Sequence, residues 1–222
     1  MSGGSVLKAY ARADDLPRSV PVFPLDGALL LPRGGLPLNI FEPRYLNMVD
    51  DAMAGDRLIG MVQTRPGGDP SRPDLAPVGC VGRITRYAET PDGRYLITLT
   101  GVCRFLVGEE LPEGAPYRQV RADFGAFEED LRPAAEPSTG RQKLLRALRT
   151  YLERRALEVN WRTAEAAPAE ALVNSLSMAL PFSPVEKQAL LEADTLRARE
   201  KALVALLEID AAVPDDDDLP IQ

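Results

Sequence analysis

The sequence predicts an α+β protein: a mostly antiparallel β sheet or barrel with one embedded helix, followed by a C-terminal helical bundle. Short apolar runs punctuated by Pro and Gly extend from Val20 to Phe127, and near Glu136 the hydrophobic period changes from two to 3.6. The alternating strand and helix order of a doubly wound sheet is absent. The chain therefore reads as four parts: a flexible leader over 1–17, a β-rich unit over 18–131, a helical bundle over 132–211 and an acidic disordered tail over 212–222.

Val20 to Leu25 and Ala28 to Leu31 read as the first strands, and Pro32-Arg-Gly-Gly35 turns the chain into an extended Leu36 to Ile40. Pro43 is placed at a helix first turn, where its missing N–H costs nothing. Leu46, Val49, Ala52 and Met53 share a face, and Gly55 ends the helix. Leu58 to Thr64 is the next strand. Arg65 to Asp74 is so rich in turn formers that it reads as an exposed loop. Pro91-Asp-Gly93 marks a hairpin between Val78 to Tyr87 and Arg94 to Val107, in which Tyr95, Ile97 and Leu99 alternate with Leu96, Thr98 and Thr100. Arg118 to Phe127 closes the β-rich unit, and Arg132 to Pro137 joins it to the bundle.

In the second half, Leu144, Leu145, Leu148, Leu152 and Val159 line a helix starting near Thr139, and Leu172, Val173, Leu176 and Leu180 line the next. Ser183-Pro-Val-Glu186 is a capping box with Pro at the first helical position. Asp194 is placed to cap a last helix whose core face is Leu196, Leu203, Leu206 and Leu207.

Composition narrows the chemistry. Apolar residues make up 45% of the chain, enough to offset the entropy of ordering it. The net charge of -7 is uneven: residues 1–125 carry 14 Lys/Arg against 15 Asp/Glu, and residues 126–222 carry 12 against 18. Without a basic stripe to attract phosphates, nucleic acid is not an expected partner. No apolar run approaches the roughly 20 residues that span a bilayer, and no signal segment opens the chain, so the expectation is a cytoplasmic protein without a membrane partner. There is no His, and Cys80 and Cys103 are too few for a zinc site, so neither metal nor cofactor is expected. Both thiols read as buried small hydrophobes on strands.

Lack of His also removes Ser-His and Cys-His catalysis. Of four Lys, Lys187 lies nearest a Ser, four residues after Ser183, whose capping role already accounts for it. No Gly-Lys dipeptide exists to build a phosphate loop. What remains is a concentration of contact chemistry at Asn39, Phe41, Glu42, Arg44 and Tyr45, where two rings, an acid and a guanidinium meet the entrance of the embedded helix. The alternative is architectural, with both rings in the core, Glu42 favouring the helix N-terminus and Arg44 paired with a local acid.

Several separated blocks resemble, in the same order, the substrate-recognition domain of Lon proteases. They are Pro21-Val-Phe-Pro-Leu25 with Leu36-Pro-Leu38; Val78-Gly-Cys-Val-Gly-Arg-Ile84; Pro91-Asp-Gly93; Thr100-Gly-Val-Cys-Arg-Phe105; and Lys187-Gln-Ala-Leu-Leu-Glu192 with Asp194 and Arg197 to Arg199. The resemblance implies a PUA-like β pseudo-barrel with one embedded helix, followed by a helical bundle. It also implies a non-enzymatic, polypeptide-binding role as a substrate-recognition or adaptor module. Unfolded or tagged polypeptides are the implied partners, or one folded protein such as full-length Lon. The family's ATPase and peptidase residues have no matching positions before Gln222, so the expectation is a stand-alone module. Its binding site is expected beside Asn39 to Tyr45 or in the crevice between the two halves.

Overall fold

The computed structural model describes residues 10–212 apart from 70, 113, 135–139, 156 and 158; at 66 and 68 only the backbone is described. Most of the leader, part of the junction, the Thr139 helix start and residues 213–222 therefore lie outside the described residues.

The apolar runs form β1 (Ser19–Pro24), β2 (Gly35–Ile40), β3 (Leu58–Val62), β4 (Thr64–Asp69), β5 (Arg72–Leu75), β6 (Val78–Glu89), β7 (Tyr95–Glu110) and β8 (Gln119–Asp123). The length of β7 explains the architecture. Its first half pairs β2, from Gly35 opposite Thr100 to Ile40 opposite Tyr95, and its far end pairs β8, with Leu106 opposite Asp123. Strands β7, β6, β3, β1 and β8 thus close on themselves, and β2 extends the sheet beyond the ring. The β1–β3 pair is parallel and every other pair is antiparallel. Register shifts at Val81/Gly82 and Ile84/Arg86 coil the long β6–β7 hairpin enough to close the ring. All of β3 is buried, as a strand packed on both faces requires.

Helix α1 (Pro43–Ala54) is the embedded helix. Pro43 begins it and Gly55 caps it. Its buried face is Tyr45, Met48, Val49 and Ala52; Leu46 and Met53 are half-buried, so the face is rotated about the helix axis from the sequence expectation. The bundle consists of α2 (Arg141–Arg154), α3 (Trp161–Ala166), α4 (Ala169–Ala179), α5 (Pro184–Glu192) and α6 (Leu196–Ala212). The Ser183 capping box is formed: its hydroxyl accepts from the Glu186 N–H, and the Glu186 carboxylate accepts from the Ser183 N–H at 2.8 Å.

Further local expectations are corrected. Ala28 to Leu31 is no strand: Leu29, Leu30 and Leu31 are fully buried in an irregular segment. The bundle holds the segment at both flanks, where Lys187 donates to the Gly27 carbonyl at 2.7 Å and Asn174 to that of Pro32 at 3.1 Å. Arg65 to Asp74 is the β4–β5 hairpin, its tip tightened by Asp69 accepting from the Ser71 N–H and hydroxyl. The closing segment stops as a strand at Asp123, and Gly125–Leu131 coils into a 3-10 turn that carries Asp130 toward the bundle. Helix α3 has no counterpart in the periodicity, because six residues are too few to show a face; Asn160 caps it at 3.1 Å. Thr195, not Asp194, caps α6, accepting from the Ala198 N–H. The end of the leader also packs: Leu16 is buried and the Ala13 N–H reaches Glu128 at 2.9 Å.

Candidate functional site

The junction between ring and bundle is filled by polar side chains with internal partners. Gln63 donates to the Pro184 carbonyl and to Gln188, and Gln188 donates to the Val78 carbonyl at 3.1 Å. Arg104, on β7, forms a bidentate pair with Asp130 and reaches the carbonyls of Leu191, Ala193 and Asp194 at the end of α5. Arg199 donates to the Leu190 carbonyl and to Asn174; burial holds its guanidinium down at about 10. These contacts occupy the part of the interhalf crevice that they span.

Lys187 is drawn into the same junction. Its ammonium donates to Gly27 and Met178 carbonyls, while the Ser183 hydroxyl donates to Glu186 at 2.7 Å, so each is committed to a different partner. Burial lowers the Lys187 pKa. Cys80 and Cys103 are free and buried, and burial pushes Cys80 well up and Cys103 up to about 12, so both remain thiols. Among the described residues no group of three or more His, Cys, Asp or Glu is placed to hold a metal ion, and no helix is long and apolar enough to cross a membrane.

Two concavities flank the segment from Asn39 to Tyr45. On its helix side is a cleft of about 730 Å³ walled by Arg44 and Tyr45, the β4–β5 hairpin and the β7–β8 connection. Tyr45 is only 6% exposed and its ring packs on Phe23 with centroids 4.3 Å apart. Arg44 lies over that ring at 4.6 Å and pairs with Glu42 at 2.8 Å, which puts a guanidinium at the lip of the cleft. Burial raises the Tyr45 pKa, with Arg44 opposing. Across the cleft Glu110 accepts from both Arg118 and Arg72, and Arg118 also donates to the Pro73 carbonyl, so one carboxylate ties two walls together.

Hydrogen bonds from Arg118 hold Glu110 below the usual carboxylate range. A depressed folded-state pKa contributes stability that is full above the unfolded value and is lost as pH falls through the lowered one. Glu110→Gln is therefore expected to shallow the acid limb of a stability-versus-pH curve while leaving its neutral-to-alkaline shape unchanged, as urea midpoints measured across the acid range will report. An unaltered acid limb would show that the pair carries no linkage.

On the other side of the segment is an apolar shelf of about 490 Å³ where β2, β6 and β7 project past the ring. Asn39 lies opposite Leu96, and Phe41 follows two residues later. Phe41 is 63% exposed, Leu96 47% and Tyr87 41%, with Tyr87 held edge-on to Tyr95 at 5.1 Å. The outer edge of β2 has no strand partner among the described residues, and Pro37 in its middle has no N–H to offer.

A family model described as the ATP-dependent protease La (LON) substrate-binding domain matches residues 19–208, nearly all of the ring and bundle. The chain belongs to the Lon substrate-binding domain family. This Lon domain is 32% identical over 208 residues to Lon protease 2 of Myxococcus xanthus, a match covering 87% of the chain and 24% of that protein. To the Lon protease of Anaeromyxobacter dehalogenans it is 29% identical over 207 residues, covering 87% and 23%. It thus spans about a quarter of the length of these relatives. The N-terminal domain of the Mycobacterium avium complex Lon protease superposes with a TM-score of 0.63 at 18% identity, covering 86% of this chain and 98% of that one. A Lon N-terminal domain protein from Xanthomonas campestris gives 0.61 at 25% identity, covering 84% and 97%. The near-closed ring with one helix, followed by a helical bundle, is the Lon N-domain fold.

Of the residues that the sequence brings forward, Asn39 lines the shelf, Arg44, paired with Glu42, stands at the lip of the cleft, Tyr45 is enclosed beneath it, and Phe41 is exposed and lines neither concavity. Tyr87 and Leu96 were not singled out. For Leu96 a signal existed, an apolar residue on the polar register of an alternating strand, in step with Thr98 and Thr100. Tyr87 offered none, since only the pairing of β6 with β7 carries it past the ring.

Proposed function

We propose that this Lon domain binds exposed apolar segments of other polypeptides, as a substrate-recognition or adaptor module that performs no catalysis. The observation that carries the reading is the exposure of three large apolar side chains, Phe41, Tyr87 and Leu96, where β2, β6 and β7 project past the ring, the last two lining a shelf with Pro37, Leu38 and Ile97. Membership in a family of substrate-binding domains supports it. In this reading Asn39 and Phe41 contact the bound segment, Glu42 and Arg44 form a polar rim, and Tyr45 supports them from beneath. Because Pro37 blunts the β2 edge, recognition runs through side chains rather than through an added strand.

Fluorescence anisotropy with a labelled, permanently unfolded model protein is expected to give micromolar binding, about 8 kcal/mol. Phe41→Asp with Leu96→Asp is expected to weaken it at least tenfold, about 1.4 kcal/mol. Both side chains are on the surface, so the melting temperature is expected to stay within about 2 °C. Absence of binding to any unfolded chain sinks the reading. Recovery of one dominant stoichiometric folded partner from lysate, such as full-length Lon, would replace it with a scaffold role.

A further inference from the structure

Helix α2 is strongly basic within an acidic half. It carries Arg141, Lys143, Arg146, Arg149 and Arg154 against the single acid Glu153. Most of these cations are occupied: Arg141 donates to the carbonyls of Ala164, Glu165 and Ala167, Arg154 to that of Ala211, and Lys143 pairs with Glu208 at 3.1 Å. Arg146 and Arg149 are exposed, and neither has a carboxylate partner among the described residues; Arg149 lies over the Trp161 ring at 4.8 Å. Lys143, Arg146 and Arg149, three apart, form one row along the helix.

Beside this row runs a groove of about 340 Å³ between α2 and α6. Its floor includes Ala147 and Leu207, and Lys143 and Arg146 line it together with Ala211 and Ala212. The last described residues of α6 therefore line the groove that Arg146 borders, with Arg149 on the next turn of α2. Three residues past Ala212 the sequence holds Asp215 to Asp218, followed by Leu219, Pro220 and Ile221. At about 3.5 Å per residue, Asp215 is within about 10 Å of Ala212, and the whole acidic run is in reach of Arg146 and Arg149.

We propose that the α2 face is a docking surface for this chain's own acidic segment. Asp215 to Asp218 pair with the row Lys143, Arg146 and Arg149, and the segment shields that row from polyanions. Single exposed ion pairs are weak and salt-screened, but the short tether raises the effective concentration into the millimolar range, so several pairs hold together at low salt.

The test uses the full chain carrying Leu219→Cys with a nitroxide label; Cys80 and Cys103 are buried and do not compete for it. Amide signals of α2 around Arg146 and Thr150 are expected to lose at least half their intensity through paramagnetic relaxation at low salt and to recover it in about 1 M NaCl, where the Debye length is about 3 Å. Arg146→Glu with Arg149→Glu is expected to abolish the broadening, and adding Asp215→Lys to Asp218→Lys to restore it. With all four acids changed to Asn, the protein is expected to elute later from heparin. Unbroadened α2 signals at low salt, broadening indifferent to charge reversal, or unchanged heparin retention would each overturn the proposal. Broadening that vanishes on dilution with unlabelled protein would assign the face to a second copy instead and overturn it too.

Discussion

Arg104→Ala is expected to lower stability by about 3–5 kcal/mol, the cost of breaking a buried ion pair by removing one partner. The Arg104 side chain is 5% exposed and that of Asp130 12%. Its guanidinium meets the carboxylate at 2.8 and 2.9 Å, lies over the Phe127 ring at 4.5 Å, and reaches the Leu191 and Ala193 carbonyls at 3.0 and 2.6 Å. Those carbonyls end α5, where the helix leaves acceptors unpaired and its dipole is negative. Truncation strands a carboxylate and several acceptors at once. Arg104→Lys is expected to recover little, since an ammonium cannot supply the fork and the backbone donors together. For a chain of this size the melting temperature should fall by roughly 10 °C. Urea unfolding checks the magnitude, and a cycle with Asp130→Ala checks the mechanism: the double variant is expected to be far less destabilised than the sum of the singles. A loss under about 1 kcal/mol would mean that the ring and bundle are joined mainly by apolar packing.

Gly101→Ala is expected to be as damaging, roughly 3 kcal/mol or more, by a different cause. A Cβ at position 101 falls 2.0 Å from the Leu31 carbonyl oxygen and 2.7 Å from its carbon, both backbone atoms that no rotamer change can move. The same Gly donates to the Gly34 carbonyl and accepts from the Arg33 N–H at 2.8 Å, so retreat breaks the contacts that hold the buried Leu29 to Leu31 segment against the ring. Gly93→Ala is the comparison. There nothing lies within 4 Å and only the left-handed φ of +80° resists a side chain, at about 1 kcal/mol. Equal losses at the two positions, measured by thermal and urea unfolding, would contradict the steric account.

The contrast between these two glycines also shows what was legible in the sequence. Gly93 announces itself in Pro91-Asp-Gly93, because a hairpin turn needs a positive φ and local chemistry states it. The need for Gly at 101 comes from a segment 70 positions earlier in the chain. Local signals likewise placed the Ser183 capping box, the Pro43 helix start, the β6–β7 hairpin and the change from strands to helices, all of which depend on neighbours within a few residues. The Lon family blocks follow from the same ordered sequence.

Tertiary structure alone decided the rest. Leu29 to Leu31 has the apolar content of a strand, yet it is buried without a ladder, held at its two flanks where Lys187 and Asn174 reach from the bundle to the Gly27 and Pro32 carbonyls. Arg104 stands in the Thr100 to Phe105 family block, but its burial and its partners, Asp130 and the end of α5, are set only by the tertiary structure. The candidate site divides in the same way. Phe41 and Arg44 could be picked out as contact residues from their types, but Tyr45 is enclosed because Phe23 lies across it, and Tyr87 joins the shelf because β6 outruns the ring beside β7. Short-range geometry is written in the spacing of residue types along the chain; burial and partnership between distant residues arise only when long-range contacts close.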